Sequence, residues 1–169
     1  MSSAHRIVDL MFGIFAFVPG LAVTFWANHT AAAAIDVFGW WAFVAGLILC
    51  GLCWAVRASL SPFRLIAMLW TTVFGAVALM VVASGTAFPQ LVGIWALGFG
   101  ALSLLDWFQE RGSALLVSIL SLVLGAALLL LPPNLVVSVG LWGAYSVVVG
   151  VWLVIGALSP TARASEVQE

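Results

Sequence analysis

Residues 39–46 read GWWAFVAG, in which two glycines enclose a pair of tryptophans within an otherwise apolar stretch. The same spacing returns as GIWALGFG at 93–100 and as GAYSVVVG at 143–150. Each copy has a glycine, any residue, an aromatic, a small residue, three further residues and a second glycine. Because a pattern that recurs along a chain indicates a repeated structural unit, this motif guides the prediction of the whole fold.

The small residues of the motif lie on one side of a helix. At about 100° per residue, its first, fourth and eighth positions fall within about 60° of one another. Strips of small residues let helix backbones approach closely in lipid, where no hydrophobic force drives helices together. We therefore predict three helix-packing surfaces, formed by Gly39, Ala42, Gly46, Gly93, Ala96, Gly100, Gly143, Ser146 and Gly150.

The aromatic residue of the motif points about 200° away from the strip, toward lipid or another helix. These residues are Trp41, Trp95 and Tyr145. Packing is the favoured interpretation, and contact with an apolar ligand or a partner protein is the alternative for these three side chains. No cofactor is predicted, while a bound lipid or hydrophobic pigment stays open.

The composition is that of a membrane protein. Hydrophobic residues make up 65% of the 169-residue chain and charged residues 7%, whereas soluble domains contain about 25% charged residues. A soluble fold of this size would still expose about 30% of its surface and could not hide so much apolar area. The formal charge of −1 does not indicate a nucleic-acid partner. The expected partner is the lipid bilayer, together with other membrane protein subunits or further copies of the chain.

Six apolar segments have about the length that a membrane span requires. They are Ile7–Trp26, Val37–Val56, Phe63–Ala83, Pro89–Phe108, Ala114–Leu131 and Leu135–Leu158. Each copy of the motif lies in an even-numbered span. Each odd-numbered span contains a second, weaker sequence pattern, in which a large apolar residue is followed by glycine. The prediction is an all-α, polytopic membrane protein with one transmembrane domain over 1–169, built as three parallel hairpin repeats. The repeats cover about 5–58, 59–110 and 111–160, and 161–169 form a cytoplasmic tail.

The arginines predict the orientation of the chain. All five positive charges fall at one end of the predicted spans, at Arg6, Arg57, Arg64, Arg111 and Arg163. The loops at the other end contain no arginine or lysine. By the positive-inside rule, both termini are cytoplasmic.

Few residues suggest chemistry. Asp9 follows Arg6 by three residues, the spacing of an interfacial ion pair on one helix. Asp106, Glu110 and Arg111 are expected to form a solvated helix end, and no ionisable residue is expected in the middle of a span. Because no nucleophile–base pair, phosphate loop or metal cluster is present, we predict no catalytic, cofactor-binding or metal-binding residues and no enzyme activity.

The two cysteines form a C-x-x-C at Cys50 and Cys53. This spacing can mark a redox pair, but the usual context is a soluble thioredoxin-like unit. Within an apolar helix, the favoured interpretation is that both are small packing residues.

The last predicted hairpin resembles a known family. GAALLLLPP at 125–133, followed by GLWGAYSVVVGVWLVIGA at 140–157, is similar to the last hairpin of the HdeD family of small bacterial inner-membrane proteins. The resemblance extends over nearly the whole chain and departs most in the first hairpin, where Pro19 and Gly20 lie within the span. It implies six spans in three hairpins, location in the bacterial inner membrane, and association with resistance to acid stress.

Three functions remain open from the sequence. The first is a non-enzymatic, HdeD-like membrane protein that acts by packing against lipid or other proteins. The second is an accessory subunit of a larger respiratory or photosynthetic complex, with a contact to pigment, quinone or lipid. The third is a small channel or transporter, which the expected lack of charge within the spans disfavours.

Overall fold

The computed structural model describes residues 3–25, 30–80, 87–110 and 114–159, and the described residues form six α-helices and one short 3₁₀ helix. The α-helices are α1 Ser3–Phe25, α2 Ala31–Ala55, α3 Pro62–Met80, α4 Ala87–Glu110, α5 Ala114–Leu130 and α6 Leu135–Leu158. The 3₁₀ helix Arg57–Ser59 lies between α2 and α3. The predicted all-helical fold is confirmed.

The helix starts follow from local sequence. The side chain of Thr30 accepts a hydrogen bond from the Ala33 amide at 3.2 Å, and Asn134 caps α6 in the same way. Pro62 is the first residue of α3, where its missing N–H removes no helical hydrogen bond. α2 begins before the predicted Val37, because the capped run of alanines that precedes it strongly favours helix.

Five of the described helices are long and apolar enough to cross a membrane, namely α1, α2, α3, α4 and α6. α5 has 17 described residues and is the shorter apolar helix. Length and composition therefore indicate a membrane protein, as predicted. The tail, 161–169, lies outside the described residues.

The six helices form a closed ring. Each helix contacts the ones before and after it, and α6 returns to contact α1. α4 also contacts α2 and α6 across the bundle. The first and last helices of the chain are thus neighbours, so the ring has no open edge.

The predicted strips lie at the closest helix contacts. All nine strip residues are buried. A Cβ placed on Gly46 would lie 2.8 Å from the backbone nitrogen of Thr72 in α3, and one on Gly100 would lie 3.0 Å from that of Leu122 in α5. Real Cβ atoms are rarely found so close to other atoms, so only glycine allows these backbones to meet.

The contact between α6 and α1 has the same form. A Cβ on Gly150 would lie 2.7 Å from the backbone nitrogen of Phe17 and 2.8 Å from the carbonyl oxygen of Gly13. Each strip therefore packs on a helix of another predicted hairpin: α2 on α3, α4 on α5, and α6 on α1. The hairpin boundaries themselves stay a prediction.

Aromatic side chains fill the centre of the bundle. Phe38 lies 5.4 Å from Trp95 and 5.5 Å from Trp142 between ring centroids, both in edge-to-face geometry. Trp41 makes further edge-to-face contacts with the same two tryptophans. Phe38, Trp95 and Trp142 are 0% exposed. The middle of the bundle is therefore packed with side chains in this conformation.

Gly100→Leu tests the packing of a strip. We expect it to destabilise the bundle by about 1–3 kcal/mol or to change its assembly, because the new side chain must displace the backbone and side chain of α5. Thermal unfolding and size-exclusion chromatography in detergent micelles measure both effects.

Gly140→Leu is the matched control. A Cβ at Gly140 meets nothing within 4 Å, so the same substitution at that position of α6 should leave the melting temperature nearly unchanged. Equal behaviour of the two variants would contradict the assignment of the strip to helix packing.

Candidate functional site: a buried ionic cluster

One arginine and two aspartates from three helices meet inside one end of the bundle. Arg64 of α3 donates from Nη1 to Oδ1 of Asp9 in α1 at 3.0 Å. It also donates from Nη2 and Nε to Oδ2 of Asp106 in α4, at 3.0 and 3.2 Å. Ser61 donates to the other oxygen of Asp106 at 2.6 Å. We call Asp9, Ser61, Arg64 and Asp106 the ionic cluster.

The ionic cluster is buried rather than solvated. The side chains of Arg64, Asp9 and Asp106 are 8%, 8% and 5% exposed. The planar guanidinium group of arginine can serve two carboxylates at once because its five N–H donors lie in a fixed fork. Ion pairs removed from water persist only with good geometry and further hydrogen bonds, and Ser61 supplies such a bond here.

The local sequence places these groups together. α3 starts at Pro62, so Arg64 lies in its first turn with Ser61 directly before the helix. Asp9 lies near the start of α1 and Asp106 near the end of α4. Since α1 and α3 begin at this end and α4 finishes here, one end of the bundle collects all four groups.

A small cavity borders the ionic cluster. Its volume is about 40 Å³, and Asp9, Arg64, Asp106 and Ser103 form its polar wall. Apolar side chains from α1, α3, α4, α5 and α6 complete the lining. The volume suits about three water molecules, not an organic substrate.

A histidine–carboxylate contact joins α1 and α4 closer to the ends of these helices. His5 Nε2 of α1 contacts Oε2 of Glu110 in α4. His5 precedes Asp9 by one helical turn, and Glu110 follows Asp106 by one turn. Their side chains are 13% and 21% exposed, so this pair lies between the ionic cluster and the exposed end of the bundle. The predicted solvated end of α4 is therefore wrong for Asp106, which turns inward to Arg64.

Asp9 has a partner that the sequence analysis did not propose. The predicted interfacial pair joins Asp9 to Arg6, whereas the structure buries Asp9 and bonds it to Arg64. The contact between Arg6 and Asp9 stays a prediction. The expectation that no ionisable residue lies in the middle of a span is not contradicted, because Asp9, Arg64 and Asp106 lie near helix ends. A carboxylate on each side of Arg64 offsets much of the cost of burying its charge.

The aromatic residues of the three motifs lie inside the bundle. Trp41 and Tyr145 are 9% exposed and Trp95 is fully buried. Trp41 donates to the carbonyl oxygen of Phe15 in α1 at 2.5 Å, and Trp95 donates to Oγ1 of Thr71 in α3 at 3.2 Å. Of the two predicted directions, lipid or another helix, the structure shows the second.

Tyr145 completes this set of contacts. Its hydroxyl group hydrogen-bonds Oγ of Ser121 in α5 at 2.7 Å. Each aromatic of the motif thus joins its helix to the preceding helix of the chain, while the glycine strip of the same helix packs on a different one. One short motif therefore forms two helix–helix interfaces, one with its aromatic residue and one with its glycine strip.

The two cysteines of α2 do not form a disulfide with each other. Both Cys50 and Cys53 are free thiols, and Cys53 is buried among core side chains while Cys50 is partly buried. Within the described residues, no group of three or more histidine, cysteine or acidic side chains can hold a metal ion. These positions are consistent with the packing interpretation of both cysteines.

The fold and the ionic cluster define a broad class of protein. The described chain is a bundle of mainly membrane-length apolar helices with a buried ionic cluster near one end. Comparisons with protein-family models, with curated proteins and with solved structures find no match. The resemblance to the HdeD family therefore stays a prediction.

Sequence reasoning overlooked Arg64, Asp106 and Ser61 as site residues. The scarcity of charged residues in the sequence could have identified them, because only 7% of this chain is charged. In such a chain, an arginine in the first turn of one span and an aspartate inside the last turns of the next are candidates for a buried pair. The contribution of Asp9 from α1 needs the tertiary structure.

Removing the charge of Arg64 should strongly lower the stability of the folded bundle. Arg64→Gln leaves two buried carboxylates without their cation, and breaking a buried ion pair costs about 3–5 kcal/mol. We expect a large loss in the free energy of unfolding, measured by thermal or denaturant unfolding in detergent micelles.

Arg57→Gln provides the control for that substitution. Arg57 is an exposed arginine seven positions earlier in the chain, and surface substitutions usually change stability by less than about 0.5 kcal/mol. If Arg64→Gln were as mild as Arg57→Gln, the ionic cluster would not stabilise the bundle.

Proposed function

We propose that the protein is a non-enzymatic integral membrane protein that acts through packing against lipid and against other membrane proteins or its own copies. It lies in the bacterial inner membrane, with six spans in three parallel hairpin repeats and both termini in the cytoplasm. Association with acid stress rests on the HdeD resemblance alone.

This proposal rests on the contrast between polar side chains that face the inside of the bundle and apolar side chains that face outward. The ionic cluster and the hydroxyl groups of Thr71 and Ser121 are buried and hydrogen-bonded within the bundle. The outward faces carry large apolar side chains that are strongly exposed, among them Val18, Trp40, Val73, Ile94, Val123 and Ile155. A surface of this kind is suited to lipid or to another apolar protein surface.

The matching contacts of the three motifs support the repeat. Every strip packs on an odd-numbered helix by close backbone approach, and every motif aromatic hydrogen-bonds a second odd-numbered helix. α5 is about 25 Å long over its described residues. That length lies at the lower end of the range for a span, which supports six spans.

The ionic cluster also supports the proposed orientation. Arg64 is one of the arginines that the positive-inside rule places at the cytoplasmic end. Its partners Asp9 and Asp106, and the pair His5–Glu110, lie at the same end of the bundle. The proposal therefore has the starts of α1 and α3 and the end of α4 on the cytoplasmic side.

Native mass measurement after gentle extraction tests the proposed function. We expect a homogeneous monomer or homo-oligomer with bound lipid, because the charged groups of the ionic cluster find their partners inside one chain. Stoichiometric co-purification with subunits of a respiratory or photosynthetic complex would instead establish the accessory-subunit alternative.

A small channel or transporter is the second candidate function, and the ionic cluster favours it. Ionisable residues within membrane helices often mark an ion or substrate path, and Arg64, Asp9 and Asp106 border a polar cavity. Against this, the aromatic side chains around Phe38, Trp95 and Trp142 fill the centre of the described bundle.

Flux measurements separate these two functions. The packing function predicts that liposomes containing the protein are no more permeable to protons and small ions than empty liposomes. Ser103→Ala removes one hydroxyl group from the cavity wall while leaving the ion pairs in place. A flux that requires the protein and falls in this variant would establish transport and overturn the packing function.

A further inference from the structure

The short connection between α2 and α3 forms an open cleft with one cationic side chain. The cleft has a volume of about 250 Å³. Its lining residues come from the end of α2, the 3₁₀ helix, the two residues that follow it and the start of α3, and they are Cys53, Arg57, Leu60, Ser61, Pro62 and Leu65. This volume is below the range of about 300–1,000 Å³ typical of sites for drug-sized molecules, so it suits a headgroup better than a whole amphiphile.

The charge of Arg57 is available to a ligand. Among the described carboxylates, none forms an ion pair with Arg57, whereas Asp9 and Asp106 are both paired with Arg64. Arg57 is exposed, and its guanidinium carbon lies 4.5 Å from the ring centroid of Trp54. Stacking on the ring and a hydrogen bond to the Trp54 carbonyl oxygen at 3.3 Å hold the cation in place.

Two further features favour an anion at this place. α3 is 19 residues long and begins at Pro62 in the wall of the cleft, so the positive end of its dipole faces this region. Trp54 is 58% exposed at the end of an apolar helix, the position that tryptophan takes at the boundary between membrane and water. The position of Trp54 therefore favours a cleft at the depth of lipid headgroups, and Leu60 and Leu65 supply apolar walls.

We propose that this cleft binds the headgroup of an anionic phospholipid, whose phosphate accepts hydrogen bonds from Arg57. Arginine matches phosphate geometry because its N–H groups form a planar fork. Leu60 and Leu65 contact the apolar part of the lipid next to the phosphate. This inference rests on the membrane location in the proposed function, but on neither its orientation nor its protein partners.

Lipid titration of the purified protein tests the cleft. The protein in an uncharged detergent is titrated with phosphatidylglycerol and, in parallel, with phosphatidylcholine, and bound lipids are counted by native mass spectrometry. We expect one phosphatidylglycerol to bind more tightly than the rest and more tightly than phosphatidylcholine. Failure to detect such a lipid, or equal affinity for phosphatidylcholine, would overturn the proposal.

Three variants connect the bound lipid to the cleft. Arg57→Gln should weaken the tight lipid about fivefold, the effect of one basic residue near an anionic membrane surface. Arg57→Lys should retain most of the affinity because it keeps the charge. Leu60→Trp keeps Arg57 and fills the cleft, so it should also displace the lipid. Wild-type affinity in both Arg57→Gln and Leu60→Trp would contradict the proposal.

Competition distinguishes a lipid from free phosphate. Inorganic phosphate carries the same charged group without the glycerol and acyl chains. We expect it to leave the tight phosphatidylglycerol in place at equal concentration, because the apolar walls then contribute to lipid binding alone. Displacement by equimolar phosphate would overturn the assignment of a lipid. These readouts differ from co-purification and flux, so the cleft and the proposed function can fail separately.

Discussion

In a lipid environment, helices gain nothing from hiding apolar surface from one another, so close contact must hold the bundle together. The glycines at the contacts of α2 with α3, α4 with α5, and α6 with α1 provide that contact. At Gly46, Gly100 and Gly150, a single added carbon would press on the backbone of the neighbouring helix. The positions of the buried polar groups depend on this spacing, because the hydrogen bonds between helices form only when the backbones lie this close.

The ionic cluster depends on the same spacing. Arg64 reaches Asp9 and Asp106 only because α1, α3 and α4 meet at one end of the ring. The cluster and the glycine contacts have complementary effects: the glycines allow close approach along the helices, and the ion pairs select which helix ends come together. Buried polar groups can select one arrangement among several of similar packing energy, and we expect this cluster to fix the end of α1 relative to the ends of α3 and α4.

Much of the fold was predictable from residue patterns. The apolar spans, the helical class and the small-residue strips follow from composition and a helical period. The inward position of Trp41, Trp95 and Tyr145 did not follow, because a direction of about 200° from the strip fits both lipid and a second helix. The hydrogen bonds to Phe15 and Thr71 settle that choice, and they depend on where the odd-numbered helices lie.

The sequence by itself determined that this chain forms apolar helices, most of them membrane-length, and which face of each even-numbered helix is smooth. Both properties are local, since they depend on composition and on residues within two helical turns. Only the tertiary structure decided that each strip packs outside its own predicted hairpin, and that Asp9 and Asp106 share Arg64. These contacts join residues far apart in the chain, and the pattern within a single helix carries no information about which neighbour completes them.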